Sequence, residues 1–179
     1  MSVMEAPVRP KLTVRIKQAV SQAERDATRS LRRTVFCEEQ GLFNGDDIDP
    51  TDALALSLAA IVGAEGGPGE VVGTVRIHQA ESRIWWGSRL AVARPFRRQA
   101  DIGTGLIKLA VGMAHARGCR TFLAYVQAQN VVMFEQLHWL ALYEIEVHGR
   151  PHYLMRADLS YYPPIIDGET GFLSTREDA

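Results

Sequence analysis

The sequence predicts an α+β fold in which helices pack on a mixed β-sheet. Three observations predict it. Short segments that alternate apolar and polar residues recur along the chain, as in "KLTVRIKQ". Other segments carry apolar residues at helical spacing, above all Leu106, Leu109, Ala110, Met113 and Ala114. Turn residues separate them and give the order β-α-β-β-β-α-β-α-β-β. With 179 residues, 46% hydrophobic and 23% charged, the chain is read as one globular domain with a substantial core over residues 1–179.

Residues 1–10 read as a loose arm. Leu12, Val14 and Ile16 alternate and suit a half-buried strand. Ser21 followed by Glu24 forms a capping box, which starts a helix with Ala23, Ala27, Leu31 and Val35 on one face. That helix runs through "RSLRRTVFCEEQ" and stops near Gly41. "NGDDIDPTD" is an acidic turn-rich loop. "ALALSLAAIVG" and "VVGTVRIHQ", separated by "EGGPGE", read as the two strands of a hairpin. "SRIWWGSRLAVA" adds one strand or a pair.

The second helix follows Gly103-Thr104-Gly105 and ends at Gly118. "CRTFLAYVQA" is a strand, and "NVVMFEQLHWL" a short helix opened by Asn130 as N-cap. Strands around "LYEIEVH" and "HYLMRADL" follow, and residues 161–179, with two prolines near their start, read as an extended arm.

The composition excludes several classes. A net charge of -1 gives no general attraction to nucleic acid or to an anionic membrane. The apolar run from Ala53 to Ala64 is shorter than the roughly 20 residues of a membrane span. Cys37 and Cys119 are too few for a disulfide framework or a zinc site, no other cluster has metal-ligand spacing, and no metal is expected. The thiols and the absence of a signal-like start suggest a cytoplasmic protein.

The turn between Leu90 and Gly118 carries the chemistry. A strand that passes through Arg97-Arg98 into Gly-Thr-Gly and a helix offers amides without intrahelical partners, and the helix dipole favours a phosphate there. A dinucleotide-binding loop would need a third glycine where Lys108 stands. A P-loop would need Gly-Lys-Ser/Thr, which does not occur.

"RRQADIGTGLI" resembles the acyl-CoA diphosphate loop of GNAT-family N-acetyltransferases, Arg/Gln-x-x-Gly-x-Gly/Ala. Arg98 opens the match, Asp101 stands at the first glycine and Gly103 at the second. "RLAV" is similar to the GNAT strand that pairs with the pantetheine arm, and "NVVMFEQLHW" to the family's Asn-x-x-x-x-Tyr-Glu-x-Leu-Gly-Phe segment. In the N-terminal half, "LRRTVFCEEQGLF" with "DDID" resembles a small bacterial GNAT subgroup and the acyl-homoserine-lactone synthases.

The resemblance implies a mostly antiparallel sheet with helices on both faces, whose two central strands, "SRLAV" and "TFLAYV", splay to admit acyl-CoA. It implies acetyl-CoA or another short acyl-CoA as co-substrate, bound by Leu90, Ala91, Val92, Arg97, Arg98, Asp101, Ile102, Gly103, Thr104, Gly105, Asn130 and Phe134. It places Phe36, Glu39, Asp46, Asp47 and Asp49 toward the acceptor, a small-molecule amine, and the acidic loop suggests a cationic one. It also permits a homodimer.

Direct attack by the amine requires its deprotonation. Glu39 and His78 are the candidate bases, and each reads equally as a solvated side chain. Arg76 suits an acidic acceptor or a pair with Asp47. Asp101 either faces the diphosphate or, pointing away, caps the helix through Gly103 or Thr104. Phe134 replaces the tyrosine whose phenol protonates the leaving thiolate in many relatives, and Phe has no proton to give; His138 is a possible substitute. Two other readings stay open: a non-catalytic acyl-CoA-binding or regulatory domain, and an acyltransferase fed by acyl-carrier protein.

Overall fold

Val14 and Ile16, two residues apart, are 4% and 0% exposed, as an alternating strand with one buried face requires. They belong to β1 (Thr13–Gln18), the first element in a computed structural model that describes residues 13–63 and 69–175. The N-terminal arm and most of the turn between the hairpin strands lie outside the described residues. The hairpin itself is β2 (Leu56–Val62) against β3 (Glu70–Glu81). "SRIWWGSRLAVA" forms one strand, β4 (Ile84–Val92). Next come α2 (Ala100–Ala116), β5 (Thr121–Gln127), α3 (Val131–Gln136), β6 (Trp139–Val147) and β7 (Arg150–Ala157).

The sheet has eight strands in the order β6-β7-β5-β4-β3-β2-β1-β8, antiparallel except for β4 with β5. Helices cover both faces. Val72 of β3 packs in the cluster that contains Leu106, Leu109 and Met113 of α2, while its neighbour Val71 packs with Leu31 and Val35. Adjacent strand residues point to opposite faces, so the two helices flank the sheet. Each fully buried aliphatic side chain, Ile77 or Leu109 for example, stabilises the fold by about 1.5–3 kcal/mol.

The first helix, α1 (Gln22–Arg32), starts at the expected capping box, with Ser21 Oγ accepting from the Glu24 amide. It then widens into a π-helical turn over Arg33–Glu39. Its buried face differs from the expected one: Thr28, Leu31, Arg32, Val35 and Phe36 are inside, whereas Ala23 is exposed. Arg32 can be inside because two aspartates meet its guanidinium.

The C-terminal stretch differs too. Residues 161–175 are not a loose arm. Tyr162 is 4% exposed, Ile165 packs on the core, and Phe172–Thr175 forms β8 beside β1. Gly171, at φ +59°, makes the approach possible, because a Cβ there would lie 1.8 Å from the Ile16 carbonyl oxygen.

Candidate active site

The parallel pairing of β4 and β5 is short. It covers Ile84↔Thr121, Trp85↔Phe122 and Trp86↔Leu123. Beyond Trp86, β4 stays with β3, while β5 turns its pairing to β7 from Leu123 to Gln127. The strands part, and the edge of β4 from Gly87 onward has no partner in β5. Two residues of β4, Arg89 and Leu90, stand opposite the single residue Val75 of β3. This β-bulge holds Arg89 at φ 57°, a left-handed conformation that costs a non-glycine residue on the order of 1 kcal/mol.

The gap opens into a cavity of about 450 Å³, within the usual size of small-molecule sites. Ile107, Ala110 and Val111 of α2 line it on one face of the sheet, together with Phe122, Phe134 and Trp139. Phe36, Leu42 and Phe43 line it from the opposite face, together with Trp86, Tyr125 and His148. Trp86 and Tyr125 face each other across the gap with ring centroids 5.0 Å apart. Gln127 donates from Nε2 to Gln40 Oε1 over 3.0 Å, tying the end of the π turn to β5.

Beside the gap lies an ion network. Arg32 donates from Nε to Asp47 Oδ2 and from Nη1 to Asp52 Oδ1, each over 2.7 Å. Arg89 Nε reaches the same Asp47 oxygen at 2.8 Å, and Arg76 donates to both Asp49 oxygens at 2.7 and 3.2 Å. Arg76 therefore pairs with Asp49, and through Nη1 with Asp52 at 3.1 Å, rather than with Asp47. Burial opposes ionisation of Asp52, yet bonds from Arg32, the Asp49 amide and Arg76 outweigh it and hold the carboxyl far below its usual range. Three of the loop's aspartates are thus matched by three arginines, which removes the expected acidic face for a cationic acceptor.

The structure brings His78, Leu90, Asn130 and Phe134 together in the cavity wall. His78 Nδ1 is buried and bonds to no described group. Burial, then the nearby Arg76 charge, push its pKa below the usual histidine value, with Asp49 opposing. Phe134 is 6% exposed and packs edge-on against Trp139 at 5.1 Å. Asn130 occupies the cap position of α3 without a side-chain capping bond.

Other expected residues lie elsewhere. Glu39 is bound to Arg97 and is not part of the cavity wall. Arg97 also donates from Nε to the Val92 carbonyl over 2.9 Å, so it fastens the loop after β4. Arg98 is exposed and has no ion-pair partner among the described residues. The side chains of Ala91 and Ile102 are core, 3% and 1% exposed.

The helix begins before the glycines, at Ala100, with Gln99 at the cap position. Asp101 therefore sits in the first turn and does not cap. The Gln99 and Ile102 amides are bonded to the Phe96 and Gln99 carbonyls, which leaves those of Ala100 and Asp101 free, and Gly103, Thr104 and Gly105 lie past them. A Cβ on Gly103 would meet nothing within 4 Å, which leaves the surface over the helix start open. His138 is outside the cavity, at φ 69°, with its ring stacked on Tyr161 at 3.5 Å. Tyr162 is core: its hydroxyl accepts from Trp139 Nε1 at 3.0 Å.

Sequence reasoning missed Arg89, His148 and His152 as parts of the cavity wall. His152 is 6% exposed, and its Nδ1 lies 2.9 Å from the Arg150 carbonyl. A carbonyl only accepts, so Nδ1 carries the hydrogen and Nε2 of the neutral ring is the basic nitrogen. The signal for His152 was faint: a histidine alternating with apolar residues on a late strand.

The thiols offer no nucleophile here. Burial and then Asp47 push Cys37 up, and burial pushes Cys119 up. No described helix is long and apolar enough to cross a membrane.

No curated protein sequence matches the chain. Solved structures do. ElaA from Escherichia coli superposes with a TM-score of 0.66 at 19% identity, covering 82% of this chain and 99% of that one. An acyl-CoA N-acyltransferase from Pseudomonas aeruginosa gives 0.65 at 18% identity, covering 81% and 99%. BjaI, a CoA-dependent acyl-homoserine lactone synthase solved with SAM and isopentyl-CoA, gives 0.64 at 18%, covering 89% and 94%. At these identities the superpositions establish the fold, including the likeness to the lactone synthases. The sequence profile of the acetyltransferase (GNAT) family matches residues 22–148. With that match across most of its length, and with the parted strands β4 and β5, the chain is a member of the GNAT acetyltransferase family.

Proposed function

We propose that this protein transfers an acetyl or other short acyl group from acyl-CoA to the amine of a small-molecule acceptor. The observation that carries the reading is the parting of β4 and β5 over a cavity that reaches both faces of the sheet. In this reading the pantetheine arm lies along the unpaired edge of β4, where free strand amides accept an extended amide-bearing chain. The diphosphate sits at the start of α2, supported by the free amides of Ala100 and Asp101, the open surface over Gly103 and Arg98, which has no ion-pair partner among the described residues. The acidic Asp101 points away from it.

The neutral amine attacks the thioester carbon, the C–N bond forms and the C–S bond breaks. CoA leaves as the thiol, carrying the proton that the amine loses. His78 receives the amine proton: burial and Arg76 lower its pKa, which leaves the ring unprotonated and free to accept. No Asp or Glu is among the described residues of the cavity wall, which turns the role of base toward imidazole and away from Glu39. Phe134 gives the thiolate no proton, so the thiolate is protonated from the imidazolium or from water.

Release of free thiol from acetyl-CoA in the presence of a panel of amines and amino acids tests the reading. Amine-dependent release is expected. Tight CoA binding with no release on any acceptor, or retention of acyl-carrier protein with little affinity for CoA, would contradict it.

A further inference from the structure

The acceptor half of the cavity has an unusual charge inventory. Its ionisable described residues are Arg76, Arg89, His78, His148, His152 and Tyr125. Two permanent cations face it, and among the described residues no carboxylate does.

The two cations differ from Arg32. Burial opposes the charge of Arg32, but bonds to Asp52 and Asp47 overcome that and raise its pKa. Burial lowers that of Arg89, the neighbouring Arg76 lowers it further, and Asp47 with Asp49 compensate only in part. The Arg89 guanidinium bonds through Nε and Nη2 to Asp47 and Asp49. Its Nη1 makes no bond to a described residue. The ring of Phe43 lies under it, 4.6 Å from Cζ, and fixes its plane. The bulge that holds Arg89 in a left-handed conformation brings this side chain into the wall. Around it the wall is apolar: Phe36, Leu42, Phe43, Trp86 and Val147.

We propose that the acceptor is an amine that also bears a carboxylate, an apolar or aromatic α-amino acid, and that Arg89 binds this carboxylate. The inference rests on the acyl-transfer reading above and names the substrate class of that site. Without an anion, Arg89 Nη1 has no bond to a described residue, and the 14% of the side chain that stays exposed leaves it within reach of a ligand. A carboxylate supplies a partner beside an apolar wall, and the charge-assisted bond then sets specificity. The side chain of the amino acid lies among Phe36, Leu42 and Val147.

The test compares matched acceptors on the wild-type protein: phenylalanine with 2-phenylethylamine, and leucine with 3-methylbutylamine. Acetyl-CoA and hexanoyl-CoA serve as donors, and thiol release is the readout. The amino acid of each pair is expected to exceed its decarboxylated partner by roughly 10- to 100-fold in kcat/KM. Arg89→Gln, checked for folding by circular dichroism, is expected to collapse that ratio, chiefly by raising KM for the amino acid. The wild-type ratio decides the matter even if the variant does not fold.

Equal or better use of the decarboxylated amines overturns the proposal and leaves acyl transfer standing. Release from none of the four acceptors also overturns it. That silence, joined to an absence of CoA binding by calorimetry, removes the acyl-transfer reading as well.

Discussion

Arg32 Nε donates to Asp47 Oδ2 over 2.7 Å, and the two side chains are 1% and 2% exposed. The pair joins α1 to the loop that precedes β2, and Arg89 meets the same oxygen from the bulge of β4. Removing Arg32 strips one of two cations from each of the buried Asp47 and Asp52, leaving Arg89 and Arg76 as their remaining partners, and breaking a buried pair is strongly destabilising. Arg32→Met is expected to lower unfolding free energy by about 3–5 kcal/mol, measured by urea denaturation. Arg98→Met, an exposed change, is expected to stay within about 0.5 kcal/mol.

Acid destabilises the fold in two windows. The Asp49 and Asp52 carboxyls are held below their usual range, against opposing burial, by bonds to Arg76 and Arg32 respectively. Glu24 falls to about 2, with burial again opposed by Lys17 and by the Ser21 and Val20 amides. A depressed carboxyl pKa contributes stability above the unfolded value near 3.9–4.3, lost as pH falls through the folded one. His78, also lowered, is bound by fewer protons when folded than when unfolded, so its contribution is lost as pH falls below about 6.5. The melting temperature is therefore expected to drop first below about pH 6.5 and more steeply below about pH 4. His78→Gln removes the first drop, and Asp52→Asn weakens the second.

Two glycines of α2 separate packing from ligand approach. A Cβ on Gly112 would lie 2.7 Å from Ile165 Cδ1 and 3.0 Å from the Pro163 carbonyl, whereas one on Gly103 meets open space. Gly112→Ala is expected to cost about 1–3 kcal/mol in chemical denaturation. Gly103→Ala should stabilise the helix by about 0.5–1 kcal/mol. The same Gly103→Ala protein is expected to bind CoA more weakly by calorimetry, because the added methyl occupies the surface over the helix start.

Phe134 lines the cavity at the position to which the family resemblance assigns a tyrosine. Phe134→Tyr is expected to raise kcat by about tenfold or more, since a positioned general acid contributes about 10²- to 10⁴-fold. The acid limb of kcat/KM in the wild type should fall below the ordinary histidine value, in line with the lowered pKa of His78. His78→Gln is expected to abolish that limb. If the limb survives in His78→Gln and disappears in His152→Gln, the base is His152.

Local signals made much of the fold legible. Ser21 and Glu24 named the start of α1, the alternation at Val14 and Ile16 named β1, and Gly118 marked the end of α2. β8 was hidden because "FLST" is too short to show a period and is held by pairing with a strand far away in sequence. The buried face of α1 was misjudged because Arg32 reads as a surface residue until Asp47 and Asp52 fold back on it. The same fold-back explains the acidic loop, which looks cationophilic in sequence and is matched by arginines in space. Of the site, His78, Leu90, Asn130 and Phe134 were reachable through motif and strand position. Arg89 and His152 were not, because a bulge and a strand register decide what they face.

The central claim is that CoA lies in the gap between β4 and β5. A crystal structure of the protein with CoA tests it most directly. The account predicts the pantetheine arm along the edge of β4 beyond Trp86, the sulfur beside Phe134 and His78, and the diphosphate at the first turn of α2 near Arg98. Density for CoA anywhere else, with the gap between Gly87 and Ala124 empty, would contradict it.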